Sequence, residues 1–137
     1  MGNTPYTQLE PLPEVEGAPI GKRWYHGNIT DTEALKRMSS AAKERGDYLV
    51  YDSNGEYVLL VFSDGNVHRL KISKRLRDGR YILGEDNPDL EVESYPSVRE
   101  LIKKHRGPTG RPLMMDNGET VKLIRNYYIT LSEHEAH

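Results

Sequence analysis

Two glycine-containing turns bracket the most apolar stretch of the chain, and this arrangement limits the folds open to it. Asn54-Gly55 precedes the run YVLLVF (57–62), and Asp64-Gly65 follows it. Asn-Gly and Asp-Gly pairs between apolar stretches are typical of tight hairpin turns. We therefore predict three antiparallel strands over 47–52, 57–62 and 67–73, with the apolar middle strand covered on both faces.

Each side of this meander carries a predicted helix with its own capping signal. The patterns Thr30-x-x-Glu33 and Ser97-x-x-Glu100 place side chains where they satisfy the first free N–H groups of a helix. Apolar residues recur at helical spacing behind each pattern, which predicts helices over roughly 31–45 and from 97 to Gly107-Pro108. The predicted class is α+β, with a central three-stranded antiparallel sheet flanked by two helices.

The chain divides into one domain and two tails. Residues 1–21 hold four of the eight prolines and show no periodicity, which predicts a disordered tail or linker. We assign residues 22–128 to the domain and 129–137 to a C-terminal tail.

Composition excludes several functional classes. Among 137 residues there is no cysteine, which removes disulfides and thiolate chemistry and disfavours a structural zinc site. The net charge of −2 gives no general attraction to nucleic acid, and no apolar run is long enough for stable membrane insertion. No catalytic set assembles, so we do not expect an enzyme or a cofactor. We further expect a cytoplasmic monomer.

Four motifs occur in an order that resembles a known family. They are WYHG (24–27), GDYLVYDS (46–53), EYVLLVFSDGNVHRLKI (56–72) and YPSVRELIKKH (95–105). Together they resemble the Src-homology 2 (SH2) family, and most closely the Fes/Fer type of non-receptor tyrosine kinases. The resemblance implies a module that binds tyrosine-phosphorylated peptides or proteins, with an adjoining kinase domain as a further candidate partner.

One residue departs from the family at the centre of the implied site. The resemblance places an arginine that grips phosphate at position 51, where this chain has Tyr51. A phenol is neutral at pH 7 and offers one donor, whereas the guanidinium fork makes two charge-assisted bonds. Tyr51 is then either a half-buried strand tyrosine with a local hydrogen-bond partner or a plug in the phosphate pocket. Asp31 replaces a second family arginine, and an acid there also suits the helix dipole.

The third strand supplies the compensating charges. Arg69 and Lys71 are two residues apart in a strand and so share one face, where they could hold a phosphate from the side. Ser53, Asn54 and the backbone amides of the 53–56 turn are further candidate donors. With Tyr51, these residues form the predicted phosphotyrosine site.

The resemblance also implies a pocket that selects residues after the phosphotyrosine, lined by Leu70, Tyr81, Ile82 and Leu83. Leu70 could equally be a core residue. Lys74, Arg75, Arg77 and Arg80 form a basic run that is either a lipid or nucleic-acid patch or a solvated turn.

Two functions stay open on these residues. One is phosphotyrosine-peptide binding through an atypical and weakened pocket. The other is a phosphate-independent protein-interaction or intramolecular scaffold module. Tyr51 and Asp31 favour the second, and Arg69 and Lys71 favour the first.

Overall fold

The computed structural model describes residues 22–42, 44–89, 91–115, 117–124 and 129. The predicted N-terminal tail, 1–21, lies outside the described residues, and so does the predicted C-terminal tail beyond residue 129. Both assignments stay predictions.

Nine elements follow one another along the described chain. They are β1 (Tyr25–Asn28), α1 (Asp31–Ala41), β2 (Tyr48–Ser53), β3 (Glu56–Ser63), β4 (Asn66–Lys74), β5 (Tyr81–Leu83), α2 (Val98–His105), β6 (Leu113–Met114) and β7 (Thr120–Val121). The α+β class with two helices flanking a central sheet is confirmed.

The central sheet has five strands in the order β1-β2-β3-β4-β5. The predicted antiparallel meander forms its middle, and both hairpin turns place their two central residues at positive φ, between 51° and 86°. That backbone is the one that tight hairpins require. β1 was not predicted, and it pairs with β2 in parallel, Tyr25 opposite Val50.

Both helices begin where their capping patterns predict. The hydroxyl of Thr30 accepts a hydrogen bond from the Glu33 amide at 3.0 Å, and the hydroxyl of Ser97 accepts one from the Glu100 amide at 3.1 Å. α1 ends at Ala41, before the predicted end at residue 45. Ala42 has extended backbone, and the carboxylate of Asp47 accepts from the Glu44 amide at 3.0 Å in a separate turn.

The sheet separates two apolar clusters, because successive strand side chains point to opposite faces. On the α2 side, Tyr48, Val50, Leu59 and Val61 pack with Val98, Leu101 and Ile102. On the α1 side, Leu49, Tyr51, Val58 and Leu60 pack with Ala34 and Met38. Each helix therefore covers one face of β2 and β3.

Ile129 packs into the α1-side cluster and is 7% exposed. Its amide donates to the carbonyl of Tyr48 at 3.1 Å, and its own carbonyl accepts from the His26 ring at 3.0 Å. Although the sequence assigned Ile129 to the C-terminal tail, these contacts place it in the domain.

Candidate functional site

Tyr51 lies in the middle of β2, facing α1, and is 0% exposed. Its ring belongs to the cluster that Ala34 and Met38 of α1 and Val58 of β3 complete. The side chain therefore fills the floor between sheet and helix. The ring is more deeply buried than the half-buried tyrosine that the sequence allowed, and the choice between a core tyrosine and a plug in the pocket stays open.

The hydroxyl of Tyr51 donates a short hydrogen bond to Oδ1 of Asp31, in the first turn of α1. The same carboxylate oxygen lies 3.5 Å from the guanidinium of Arg69. Burial of the phenol and its bond to Asp31 raise the pKa of Tyr51 to about 12. The tyrosine therefore stays neutral at physiological pH, and Asp31 places a carboxylate where the resemblance implied a positive charge.

Arg69 and Lys71 point to the same face of β4, as predicted. Arg69 is opposite Leu60 and Lys71 is opposite Val58, and both of these partners belong to the α1-side cluster. The side chain of Arg69 is 51% exposed and that of Lys71 is 30% exposed. The two cations thus line the rim above the buried ring of Tyr51.

Both cations form ion pairs with acidic side chains. Lys71 lies 3.3 Å from Glu85 and 3.5 Å from Glu56, and its hydrogen bonds to Glu85 raise the pKa of the amine. Contact with the Tyr51 hydroxyl and the charge of Asp31 raise the pKa of Arg69. Any added anion must compete with these carboxylates for the two cations.

The turn at Asn54-Gly55 offers a limited set of donors. Ser53 and Glu56 pair directly as the closing residues of a two-residue hairpin. The amide of Gly55 already donates to the carboxylate of Asp52 at 2.9 Å. Ser53 is half-buried and Asn54 is exposed, so their polar groups are closer to solvent than the ring of Tyr51 is.

A groove of about 510 Å³ lies along β4, between the β2–β3 hairpin and the residues that follow β4 and β5, and Tyr81 lines it. Of the other predicted selectivity residues, Leu70 and Leu83 are partly buried against the α2-side cluster, and Ile82 is 0% exposed. The groove wall also carries a set of acidic residues, Asp52, Glu56, Glu85 and Asp86.

Part of the predicted basic run is engaged internally. Arg75 makes two hydrogen bonds to the carboxylate of Asp78, at 3.1 and 2.7 Å, and is 9% exposed. The guanidinium of Arg80 donates to the hydroxyl of Ser94 at 2.7 Å. Lys74 and Arg77 are exposed. The engaged arginines brace the loop after β4, which agrees with the reading as a turn.

Sequence reasoning placed Asp31 in the site but did not pair it with Arg69, and it did not identify Glu85 as a partner of Lys71. Asp31 is 38 residues from Arg69, and Glu85 is fourteen residues from Lys71, so neither contact has a local sequence signal. His26, buried and bonded to Arg37 at 2.8 Å, has a structural role in joining β1 to α1.

The geometry described so far has the sheet, the two helices and the ordered motifs of one family. The sequence pattern that defines the SH2 domain matches residues 24–105. The chain belongs to the SH2 domain family. SH2 domains bind tyrosine-phosphorylated proteins and are not themselves catalytic.

The chain spans only a small part of the length of the curated relatives that it matches. The rat tyrosine-protein kinase Fer is 32% identical over 74% of this chain, and the Drosophila melanogaster tyrosine-protein phosphatase corkscrew is 30% identical over 86%. A Xenopus laevis phosphatidylinositol 3,4,5-trisphosphate 5-phosphatase 1 is 33% identical over 61%. The matched part makes up 12%, 13% and 8% of these three proteins.

No helix in the described part of the chain is long and apolar enough to cross a membrane. Within the same part, no group of three or more histidine or acidic side chains could hold a metal ion.

Proposed function

We propose that this SH2 domain binds phosphotyrosine peptides through a weakened pocket in which Arg69 and Lys71 hold the phosphate from the side. The observation that carries the proposal is the position of Tyr51. Its ring fills the floor below the site, so the phosphate has to bind at the rim, beside the two exposed cations.

The loss of a buried arginine sets the scale of the weakening. Removing one partner of a buried, hydrogen-bonded charge pair costs roughly 2–5 kcal/mol. At about 1.4 kcal/mol per factor of ten, this is roughly thirty-fold to several thousand-fold in affinity. Solvated pairs at the rim contribute only up to about 1 kcal/mol each, so they recover part of the loss.

Competition at the rim still allows phosphate to bind. The side chains of Asp31 and Arg69 are each 51% exposed, and such pairs are worth about 0.2–1 kcal/mol. A phosphotyrosine carries between one and two negative charges at pH 7, more than a single carboxylate does. It can therefore displace Asp31 from Arg69 at a small cost.

The second candidate is a phosphate-independent interaction or intramolecular scaffold module. It is favoured by the carboxylates of Asp31, Glu56 and Glu85, which already neutralise both cations. In either case we propose a Fer-like kinase as the parent context, with its kinase domain as a candidate neighbour. Monomeric state and cytoplasmic location are further proposals.

A two-dimensional NMR titration tests the first candidate. The ligands are a phosphotyrosine peptide with apolar residues after the phosphotyrosine and the same peptide without phosphate. We expect phosphate-dependent shifts at Arg69, Lys71 and the 53–56 turn, and their loss in Arg69→Ala. Arg77→Ala removes an exposed arginine elsewhere and is the matched control.

Two results would decide against the first candidate. Equal shifts from both peptides would support the phosphate-independent module. Phosphate-dependent shifts that survive in Arg69→Ala would show that the phosphate binds elsewhere.

A further inference from the structure

The outer face of α2 carries a concentration of positive charge that the phosphotyrosine site does not use. α2 buries Val98, Leu101, Ile102 and His105 and turns its other residues outward. We use the term basic face for Lys22, Arg80, Arg99, Lys103, Lys104 and Arg106.

Two adjoining hollows shape this basic face. The larger, about 450 Å³, lies between α2 and residues 93–96, with Thr109 and Gly110 at its wall. The smaller, about 140 Å³, is lined by Lys22 and Arg99. Lys103 and Arg106 line both hollows, together with the single acid Glu100, so one elongated ligand could reach into each.

The cations here lack the acidic partners found elsewhere in the domain. Arg37, Arg69, Lys71, Arg75 and Arg111 each pair with a carboxylate. In the ranges that the structure describes, no ion pair joins the basic face to a carboxylate. Of the two acids in the hollows, Glu93 is taken by Arg111, which leaves Glu100.

Helix electrostatics explains part of this charge but not all of it. Lys103 and Lys104 lie in the last turn of α2, where positive charge complements the helix dipole. Lys22 precedes β1 and Arg99 lies in the first turn of α2, where positive charge is unfavourable. The chain as a whole has a net charge of −2, so the positive charge of the basic face is opposite in sign to that of the whole chain.

We propose that the basic face binds an acidic, carboxylate-rich peptide segment of a partner protein, independently of phosphotyrosine. Charge complementarity identifies the ligand, and the two adjoining hollows suit successive acidic side chains of an extended segment. This interaction goes beyond the proposed function, because Arg69 and Lys71 lie on the opposite side of the sheet from α2.

The shape of the basic face favours a peptide over a membrane surface. The large apolar side chains exposed on the described domain are Leu35, Leu76, Val92 and Met114, and none of them lines either hollow. Amphipathic helices that bind a membrane surface combine cations with inserted apolar side chains. A concave cationic surface without such side chains is better suited to acidic side chains.

The test uses the full chain and a fluorescent, tyrosine-free peptide of alternating glutamate and serine. A peptide with glutamine in place of glutamate controls for shape. Lys103→Glu with Arg106→Glu reverses the shared centre of the two hollows. Lys36→Glu with Arg77→Glu makes the same change in net charge at exposed positions outside the basic face, and circular dichroism checks that both variants fold.

We expect the wild-type chain and the Lys36/Arg77 variant to bind the acidic peptide alike, and the Lys103/Arg106 variant to bind it about tenfold or more weakly. The glutamine peptide should not bind. Equal loss in both variants would show general electrostatics and overturn the proposal. Absence of peptide binding would also overturn it, as would binding to phosphatidylserine vesicles in place of the peptide.

Discussion

At the scale of single residues, Asp31 determines what the site can bind. The carboxylate of Asp31 accepts a hydrogen bond from the Tyr51 hydroxyl and lies next to Arg69, so it occupies contacts that an incoming phosphate would otherwise make. Substitutions at positions 31 and 51 should therefore not act independently on phosphate binding, because the Tyr51 hydroxyl is bonded to the Asp31 carboxylate.

We predict strong coupling between Tyr51→Arg and Asp31→Asn in phosphopeptide binding. Tyr51→Arg alone should raise affinity by about tenfold or less, because the new guanidinium pairs with Asp31. With Asp31→Asn the gain should reach roughly a hundredfold or more, which is the non-additivity expected of residues in contact. Isothermal titration calorimetry of the four proteins measures the coupling.

Asp89→Asn is the matched control, since it removes an exposed carboxylate outside the site. It should leave affinity unchanged. Purely additive effects of the two site substitutions would contradict the shared role of Asp31.

At the scale of elements, the two helices cover opposite faces of the sheet and start with equivalent caps. Thr30 precedes the turn that carries Asp31, whereas Ser97 begins the helix of the basic face. The caps therefore position two separate surfaces, and their contributions to stability should be independent.

We predict that Thr30→Ala and Ser97→Ala each lower the free energy of unfolding by about 1 kcal/mol, because each leaves a helix amide without its acceptor. The double variant should lose the sum to within about 0.5 kcal/mol. Urea denaturation gives these values. Thr32→Ala, inside α1 and exposed, should cost nothing, and a loss equal to that of Thr30→Ala would refute the capping role.

At the scale of the whole molecule, Gly46, just before β2, contacts residues 122–124, which we call the C-terminal segment. Its φ is +101°, its amide donates to Phe62 at 2.8 Å, and its carbonyl accepts from Ile124 at 3.2 Å. A Cβ atom at this position would lie 2.6 Å from the carbonyl oxygen of Lys122. The close approach is thus between two distant parts of the backbone.

We predict that Gly46→Ala lowers the free energy of unfolding by about 3 kcal/mol, combining backbone strain with the clash against the C-terminal segment. Gly55 has a similar φ, +86°, and open space around it. Gly55→Ala should therefore lower the free energy of unfolding by only about 1–2 kcal/mol, from backbone strain alone. Urea denaturation compares the two, and equal losses would mean that the close approach has no energetic weight.

The sequence predicted the features that local chemistry determines. Thr30 and Ser97 mark both helix starts, and Asn54-Gly55 and Asp64-Gly65 mark both hairpins, because capping and positive φ depend on neighbouring residues. The parallel strand β1 was missed because its pairing with β2 joins residues more than twenty positions apart, and no turn signal marks it.

The candidate site shows the same limit. The alternation of strand residues was enough to place Arg69 and Lys71 on one face. It could not reveal that Glu85 reaches Lys71, because that contact depends on the path of the loop after β5. The pairing of charges between distant parts of the chain is therefore the part of the site that the sequence could not predict.

The contacts of Ile129 bear on how the domain could be built into longer proteins. Trp24 and Ile129 both bond to the same edge of β2, at Val50 and Tyr48, so these two distant points of the chain lie side by side. A fold with adjacent entry and exit can be inserted into a surface loop of a host domain without forcing the two halves of the host apart. The same adjacency would let a short linker close the chain for circular permutation.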